Sequence, residues 1–526
     1  MSNEKPGWVQ WKPKRQELPQ DWDVIVIGSG LGGLMAAAKL ATAGKRCLVI
    51  EQHYVAGGYA HHFPRKEKDT MYYFDVALHQ TGLLRQGSSQ YQVFEEIGIN
   101  DKLEYVETPS LHRSIFPRHD LDITVPSDPE AYRLLLHEKF PAEAEGIDKF
   151  FEIMREIPRE LPKLLRAQTD PSINAAEEAP NSMRYMMAPL NAVFDDTVSD
   201  PLLRALLAQL WPYLGLPPGE MSAIYFALMW HSYTEGGFYI RGGGQALSNA
   251  MCERIEDQDG AILLRRLVEE ILVEDGRVAG VRTHKGETFH APVVISNASP
   301  ITTFGQMLDK AHTPDDVLDQ VNTIPISTSI IQAYVGIRGD AAELGLPEHE
   351  IFVNRTLNAD EEWEAVKRGE WDDMSVLLAN HSSVNADACP KDKSVLEAAI
   401  LAMGEHWIDL PEAEYKAKKE KVTEFLIDRI AEFIPDVRDR IEVVEVGTPK
   451  TMKDYSLSPN GAVYGYAVGA TTHTVFRPGQ RTHLPGLYLA GAWTFPGAGF
   501  GGALRSGYTA AQLILADAKK LAAASA

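Results

Sequence analysis

The sequence predicts an α/β protein: a Rossmann-like, dinucleotide-binding domain with an inserted domain of mixed sheet plus helices. Three observations predict it. Residues 24–52, VIVIGSGLGGLMAAAKLATAGKRCLVIEQ, read as strand, glycine-rich turn, helix and strand. The far end, PGLYLAGAWTFPGAGFGGALRSGYTAAQLILADAKK, reads as strand, glycine-rich loop and one helix beginning near Gly501. Between them, helical spacing dominates residues 129–219, and strand-like runs return after position 261. At 526 residues the chain also exceeds the roughly 250–300 at which a single core splits.

The elements follow in order. Residues 1–20, with Lys, Pro and Trp but no apolar core, are expected to form a surface arm rather than a signal peptide. A first nucleotide-binding portion covers 21–100, and a substrate domain with a helical insertion covers 101–250. The second nucleotide-binding portion, 251–300, contains LLRRLVEEILVEDGRVAGVRT, two β-rich runs joined by an Asp-Gly turn. Residues 301–445 supply the substrate-domain sheet, from STSIIQAYVGI and MSVLLAN, with the helix EAEYKAKKEKVTEFLIDRIAEFI beside it. Residues 446–526 complete the nucleotide-binding domain.

Composition narrows the partners. A formal charge of −22 excludes the basic footprint of a nucleic-acid binder. Cys47, Cys252 and Cys389 are few, distant and without CxxC spacing, which fits a reducing, cytoplasmic setting. No stretch approaches the roughly 18 apolar residues of a membrane span. The pair His61 and His62 has only His53 and Asp69 near it in sequence, without tight ligand spacing, so no metal is expected.

Gly28, Gly30 and Gly33 satisfy GxGxxG between a strand and a helix. Gly28 makes the tight turn, Gly30 lets backbone approach a pyrophosphate, and Gly33 allows close helix-to-strand packing. The helix N-terminus supplies free N–H groups and the positive end of its dipole. Glu51, ending the next strand, can accept from ribose hydroxyls and would repel a 2′-phosphate. Gly57 and Gly58 can bring backbone to the phosphates from the other side. The C-terminal GAGFGGAL also matches GxGxxG, from Gly497 to Gly502, but one helix cannot build a second βαβ unit. It therefore completes the first site.

GSGLGGLMAAAKLATAGKRCLVIEQHYVAGGYAHHF, FDVALHQTG, FYIRGGGQALSNAM, GTPKTMKDY and PGLYLAGAWTFPGAGFGGALRSG resemble the FAD-dependent family of phytoene desaturases, carotenoid isomerases and retinol saturases. The resemblance runs from about Asp21 onward and is greatest to the saturase and isomerase branch. It implies the two-dinucleotide-binding type of FAD-binding domain. Gly28, Ser29, Gly30, Gly33, Glu51 and Gln52 would hold the ADP half, with Gly57, Gly58 and Tyr59 at the phosphates and Val268 offering backbone to adenine. Gly491, Ala492, Gly501, Gly502 and Ala503 would meet ribitol and ring. Two positions depart from many relatives: Tyr59 stands where Arg is common, and Ala492 where Asp is common.

The flavin carries the redox work, so the absence of a nucleophile triad does not count against an enzyme. Acid or base candidates in segments expected to approach the ring are His79, His231, Tyr239, Arg241 and His473, with Tyr464 beside the last. Each also has a structural reading, as a hydrogen-bonded histidine or a core tyrosine. The triple glycine Gly242–Gly244 either lets backbone approach the flavin or forms a flexible loop. The apolar runs PLLRALLAQLWPYLGL and MSAIYFALMW can line a lipophilic tunnel or pack on themselves. The expectation is an FAD-dependent oxidoreductase that saturates or desaturates C=C bonds of a lipophilic polyene or isoprenoid. The alternatives are a flavin-dependent cis–trans isomerase, an amine oxidase-like enzyme and a non-catalytic lipid carrier. NADPH, ferredoxin, quinone or oxygen can serve as external redox partner. Peripheral membrane contact would deliver such a substrate, although the negative charge offers no attraction to anionic lipid.

Overall fold

The structure, a computed structural model, describes residues 10–14, 17–167, 170 and 172–524. Positions 1–9, 15 and 16 of the expected arm lie outside the described residues. Among the described residues, twelve strands form the two larger sheets. In chain order these are β1 (Val24–Ile27), β2 (Cys47–Ile50), β3 (His112–Phe116), β4 (Leu121–Val125), β5 (Ala261–Leu263) and β6 (Val294–Ser296). They continue with β7 (Ser329–Arg338), β8 (Glu350–Val353), β9 (Val376–Asn380), β10 (Lys393–Ala402), β11 (Ile441–Gly447) and β12 (Leu487–Leu489). The helices that matter for the site are α1 (Leu31–Thr42), α2 (Ala144–Ala167), α3 (Ala223–Thr234), α4 (Gly243–Glu256), α5 (Ala359–Arg368), α6 (Glu412–Ala431) and α7 (Gly499–Ala524).

Every residue of β1, VIVI, is buried, as befits a central parallel strand with both faces covered. It lies in the middle of a five-stranded parallel sheet ordered β12–β6–β1–β2–β5. The chain leaves β1 for β2 on one side, while β6 flanks it on the other. The C-terminal ends of β1 and β6 therefore open a crevice at a topological switch point. Helix α1, rich in alanine, is buried along nearly its whole length and packs against both α4 and α7.

The second sheet runs β11–β7–β10–β9–β8–β3–β4, antiparallel except where β3 meets β8. Its register has chemical consequences: Tyr334 pairs with Glu397, Glu397 with Ala379, and Ala379 with Glu350. Directly opposed residues share a face. Two carboxylates thus stand in one row, on the face that also carries Ile330, Phe352, Leu377 and Ala399. Helices α2 and α3 pack together and join that sheet in the largest hydrophobic cluster.

The expected division at 250 falls inside α4, which packs on α1, and that at 445 falls inside β11. The Asp275-Gly276 turn joins two antiparallel strands, Val268–Glu274 and Arg277–Thr283. Helix α7 begins at Gly499, two residues before the position read from sequence. No helix among the described residues is long and apolar enough to cross a membrane.

Candidate functional site

The glycine turn is held from three directions. Gly28 has φ +88°, a conformation that favours glycine, and donates its N–H to the Ile50 carbonyl at 2.8 Å. Gly57 donates to the Ser29 carbonyl at 3.1 Å, and a Cβ on Gly58 would lie 2.9 Å from the Gly30 Cα. The paired glycines therefore fold back over the turn. From the other terminus, a Cβ on Gly32 would sit 2.6 Å from both the Cα and the N of Gly491. A Cβ on Gly507, in α7, would meet the Gly32 carbonyl at 2.0 Å. Both ends of the chain meet at α1, and only hydrogen side chains permit it.

Glu51 is fixed with its charge satisfied on one side. Oε2 accepts from the N–H and hydroxyl of Ser29, both at 2.7 Å, and Oε1 accepts from the His53 N–H at 2.7 Å. At the start of α1, Gly30 is the N-cap and no side chain caps the helix. Its first N–H groups are left for an anion.

These parts open into one cavity of about 1280 Å³. One end is lined by Gly28, Gly30, Gly32, Glu51, Gly57 and Gly58; the other is formed by the second sheet, through Ile330, Phe352, Leu377, Ala399 and Leu401. Gln52, Tyr59, Val268, Gly491, Ala492 and Ala503 also line it, and so does His79.

His79 stands before the two carboxylates of the sheet. Its Nε2 lies 2.9 Å from Glu397 Oε1, and its Nδ1 lies 3.9 Å from Glu350 Oε1. Glu397 also accepts from Gln332 Nε2 at 2.6 Å and pairs with His381 Nε2 at 3.1 Å. Glu350 accepts the Tyr213 hydroxyl at 2.6 Å. Burial disfavours charge on His79, but Glu397 and then Glu350 outweigh it and raise its pKa to about 9. Burial would raise the Glu397 carboxyl, yet His79 and His381 hold it well below the usual carboxylate range. Burial lifts Glu350 to about 7 against the pull of His79 and Tyr213. The result is a buried ion pair with the imidazolium at the cavity wall.

A pH dependence of stability follows. His79 is raised from 6.5, so its contribution is complete below about 6.5 and lost as pH rises through about 9. Glu397 is depressed from 4.5, so its contribution is complete above about 4.5 and lost as pH falls below it. The margin in thermal midpoint of wild type over Glu397→Gln should therefore be greatest between about pH 4.5 and 6.5, shrink as pH rises from 6.5 and reach its floor above about pH 9. A difference independent of pH would remove the ion pair from this account.

The sequence pattern of flavin-containing amine oxidoreductases matches residues 31–515. The chain belongs to that family. Among curated relatives, this flavin-containing amine oxidoreductase is 30% identical to the all-trans-retinol 13,14-reductase of Danio rerio, covering 95% of this chain and 86% of that one. It is 26% identical to the chloroplastic prolycopene isomerase of Daucus carota, covering 95% and 80%. Among solved structures, an oxidoreductase from Methanosarcina mazei has a TM-score of 0.61 at 16% identity, over 93% of this chain and 99% of that one. A putrescine oxidase bound to putrescine has a TM-score of 0.59 at 16% identity, over 94% and 99%. These structures share the α/β FAD-binding fold.

FAD fits the residues present in this family member. The uncapped helix N-terminus suits its pyrophosphate, and Glu51 retains lone pairs for ribose hydroxyls. His53, lining the same end, has a buried Nε2 without a hydrogen-bond partner among the described residues. A Cβ on Gly30 would come within 2.6 Å of the Asn297 amide, so the cradle leaves no space for a side chain there.

Several expected residues sit elsewhere. Ser29 and Gly33 do not line the cavity: Ser29 is buried and bonded to Glu51, and Gly33 has the packing role read from sequence, since a Cβ there would meet the Gly28 carbonyl at 2.1 Å and Val26 of β1 at 3.2 Å. Gly501 is exposed, and a Cβ on Gly502 would meet the Gly497 carbonyl at 2.6 Å. Because α7 starts early, Gly499, Phe500 and Ala503 turn to the cavity in their stead. His231 is half-buried on α3, its Nδ1 3.8 Å from Glu235, the residue that follows the helix. Tyr239 is buried with its hydroxyl toward Asp75, and Arg241 pairs with Glu104 at 2.8 Å. His473 Nε2 lies 2.8 Å from the Met186 carbonyl, a structural anchor. None of these four lines the cavity. Tyr464 does, and donates to the Pro212 carbonyl.

The sequence reading missed Gly32, Gly507, Asn297, Glu350, Glu397 and His381. Glu350 in HEIFV and Glu397 in SVLEAAILA did leave a signal: a carboxylate inside an apolar strand must find a partner when buried. Asn297 follows β6 at the switch point, where ligands bind.

Proposed function

We propose that the protein is an FAD-dependent enzyme acting on carbon–carbon double bonds of a lipophilic polyene, with His79 as proton donor. FAD, when bound, supplies or accepts the electron pair of such a reaction. The observation that carries this reading is a single cavity running from the nucleotide cradle to an apolar sheet face, with His79, held 2.9 Å from Glu397, at its wall. The names of the curated relatives, a retinol reductase and a prolycopene isomerase, support the same substrate class.

Adding hydrogen across a double bond needs a proton at one carbon. Nε2 of His79 is engaged by Glu397, whereas Nδ1 is buried 3.9 Å from Glu350 Oε1 without a hydrogen-bond partner among the described residues, so Nδ1 holds the proton that a substrate seated against the ring would receive. Glu397 orients the ring and stabilises its charged form. The apolar side chains of the sheet, Ile330, Phe352 and Leu377, would flank a polyene bound in the cavity that His79 lines. The arrangement favours saturation over isomerisation, which needs no net proton delivery.

The test is anaerobic single turnover of the FAD-loaded protein with all-trans-retinol and with prolycopene. Reduction by dithionite and by NADPH in parallel identifies the external donor. A product gaining two hydrogens supports saturation. A product of equal mass and altered geometry reassigns the enzyme as an isomerase. Unchanged substrates in both arms would refute the polyene reading.

A further inference from the structure

A second, smaller cavity of about 300 Å³ adjoins the far end of the main one. Four residues line both and form the partition: Gln209, Trp211, Asn354 and Glu362. Three of them are polar and buried. The two amides bond reciprocally: Asn354 Nδ2 donates to Gln209 Oε1 at 2.7 Å, and Gln209 Nε2 donates to Asn354 Oδ1 at 3.1 Å. Ser114 donates a further hydrogen bond to Gln209 Oε1 at 2.8 Å. This accounts for one N–H of Gln209 and one lone pair of Asn354 Oδ1, leaving one of each for a ligand. Glu362 accepts from the N–H and hydroxyl of Ser375, and burial raises its carboxyl. Beyond the partition the wall of the small cavity is mixed, with Asn191, Arg204, Thr356 and Asp360 beside Phe116, Phe194 and Leu357.

We propose that the Gln209–Asn354 amide pair receives a hydroxyl at one end of the substrate, so that the natural ligand is a polyene alcohol rather than a hydrocarbon. The inference rests on the C=C reading above. A ligand that is apolar along its length would meet Ile330, Phe352 and Leu377 well, but would leave the free donor and acceptor of the partition unmatched. A hydroxyl offers both a donor and an acceptor, as the amide pair requires. The polar side chains Asn191, Arg204, Thr356 and Asp360 lie on the far side of the partition, and the apolar sheet residues lie on the near side, where the chain of the substrate would run.

The experiment compares all-trans-retinol with axerophthene, the same polyene with a methyl group in place of hydroxymethyl. Binding to the FAD-loaded protein is followed by quenching of tryptophan emission, to which Trp211 in the partition contributes. Retinol should bind about tenfold tighter. In Gln209→Leu and in Asn354→Leu that ratio should fall toward one, with axerophthene affinity retained. Equal affinities in wild type, or a ratio untouched by either substitution, would overturn the proposal and leave the polyene reading standing. Binding of neither compound would overturn both. The wild-type comparison stands even where a variant fails to fold.

Discussion

His79→Gln should leave a folded, flavin-loaded protein whose kcat for reduction of a polyene double bond is lower by about 10²- to 10⁴-fold. Glutamine keeps a hydrogen-bond donor near Glu397 but carries no transferable proton. The fold should tolerate it, since Gln332 and His381 still hold Glu397. The pH profile separates proton donation from packing. In the wild type, kcat/KM should fall as pH rises through about 9, where His79 loses its proton. In Glu397→Gln the ring loses its principal counter-charge, so the descending limb should move toward the ordinary histidine range. Retained turnover in His79→Gln, or an unmoved limb in Glu397→Gln, would remove the histidine from the chemistry.

The two halves of the site were unequally legible in the sequence. The nucleotide half is written locally: Gly28, Gly30, Gly33 and Glu51 lie within one βαβ unit, and each spacing has a mechanical reason that holds in any surroundings. The half around His79 is written in strand register. Glu350 and Glu397 are 47 positions apart, and they come into one row only because β9 intervenes with Ala379. No periodicity within either strand reveals that. His79 lines the cavity because it follows the hairpin ending at Asp75, whose carboxylate accepts the N–H groups of Ala77 and Leu78 and turns the chain. His231 was an equal candidate by sequence, but one turn of α3 points its ring toward Glu235. For an isolated histidine, the tertiary neighbour decides the role, and the neighbour is not a local property.

The meeting of the two termini yields the other large effect. Gly507 lines neither of the two cavities described and lies far along the chain from the GxGxxG motif, yet Gly507→Ala should cost the protein its flavin. The added methyl would sit 2.0 Å from the Gly32 carbonyl, a backbone atom that no rotamer change can move. Helix α7 must then lift from α1. That displaces Gly491, which shares the contact with Gly32, and Gly499 and Ala503, which line the cavity. Overpacking of a rigid contact costs about 1–3 kcal/mol, equivalent to about a 5- to 150-fold weaker hold on a ligand whose binding needs the closed arrangement. Gly32→Ala strikes the same junction from the other side, so the two substitutions together should cost less than the sum of each alone. Flavin absorbance per chain after gel filtration, with FAD titrated back into each variant, measures this directly. Full flavin retention in Gly507→Ala would mean that α7 can shift without disturbing the cradle. The two termini would then not act as one binding unit.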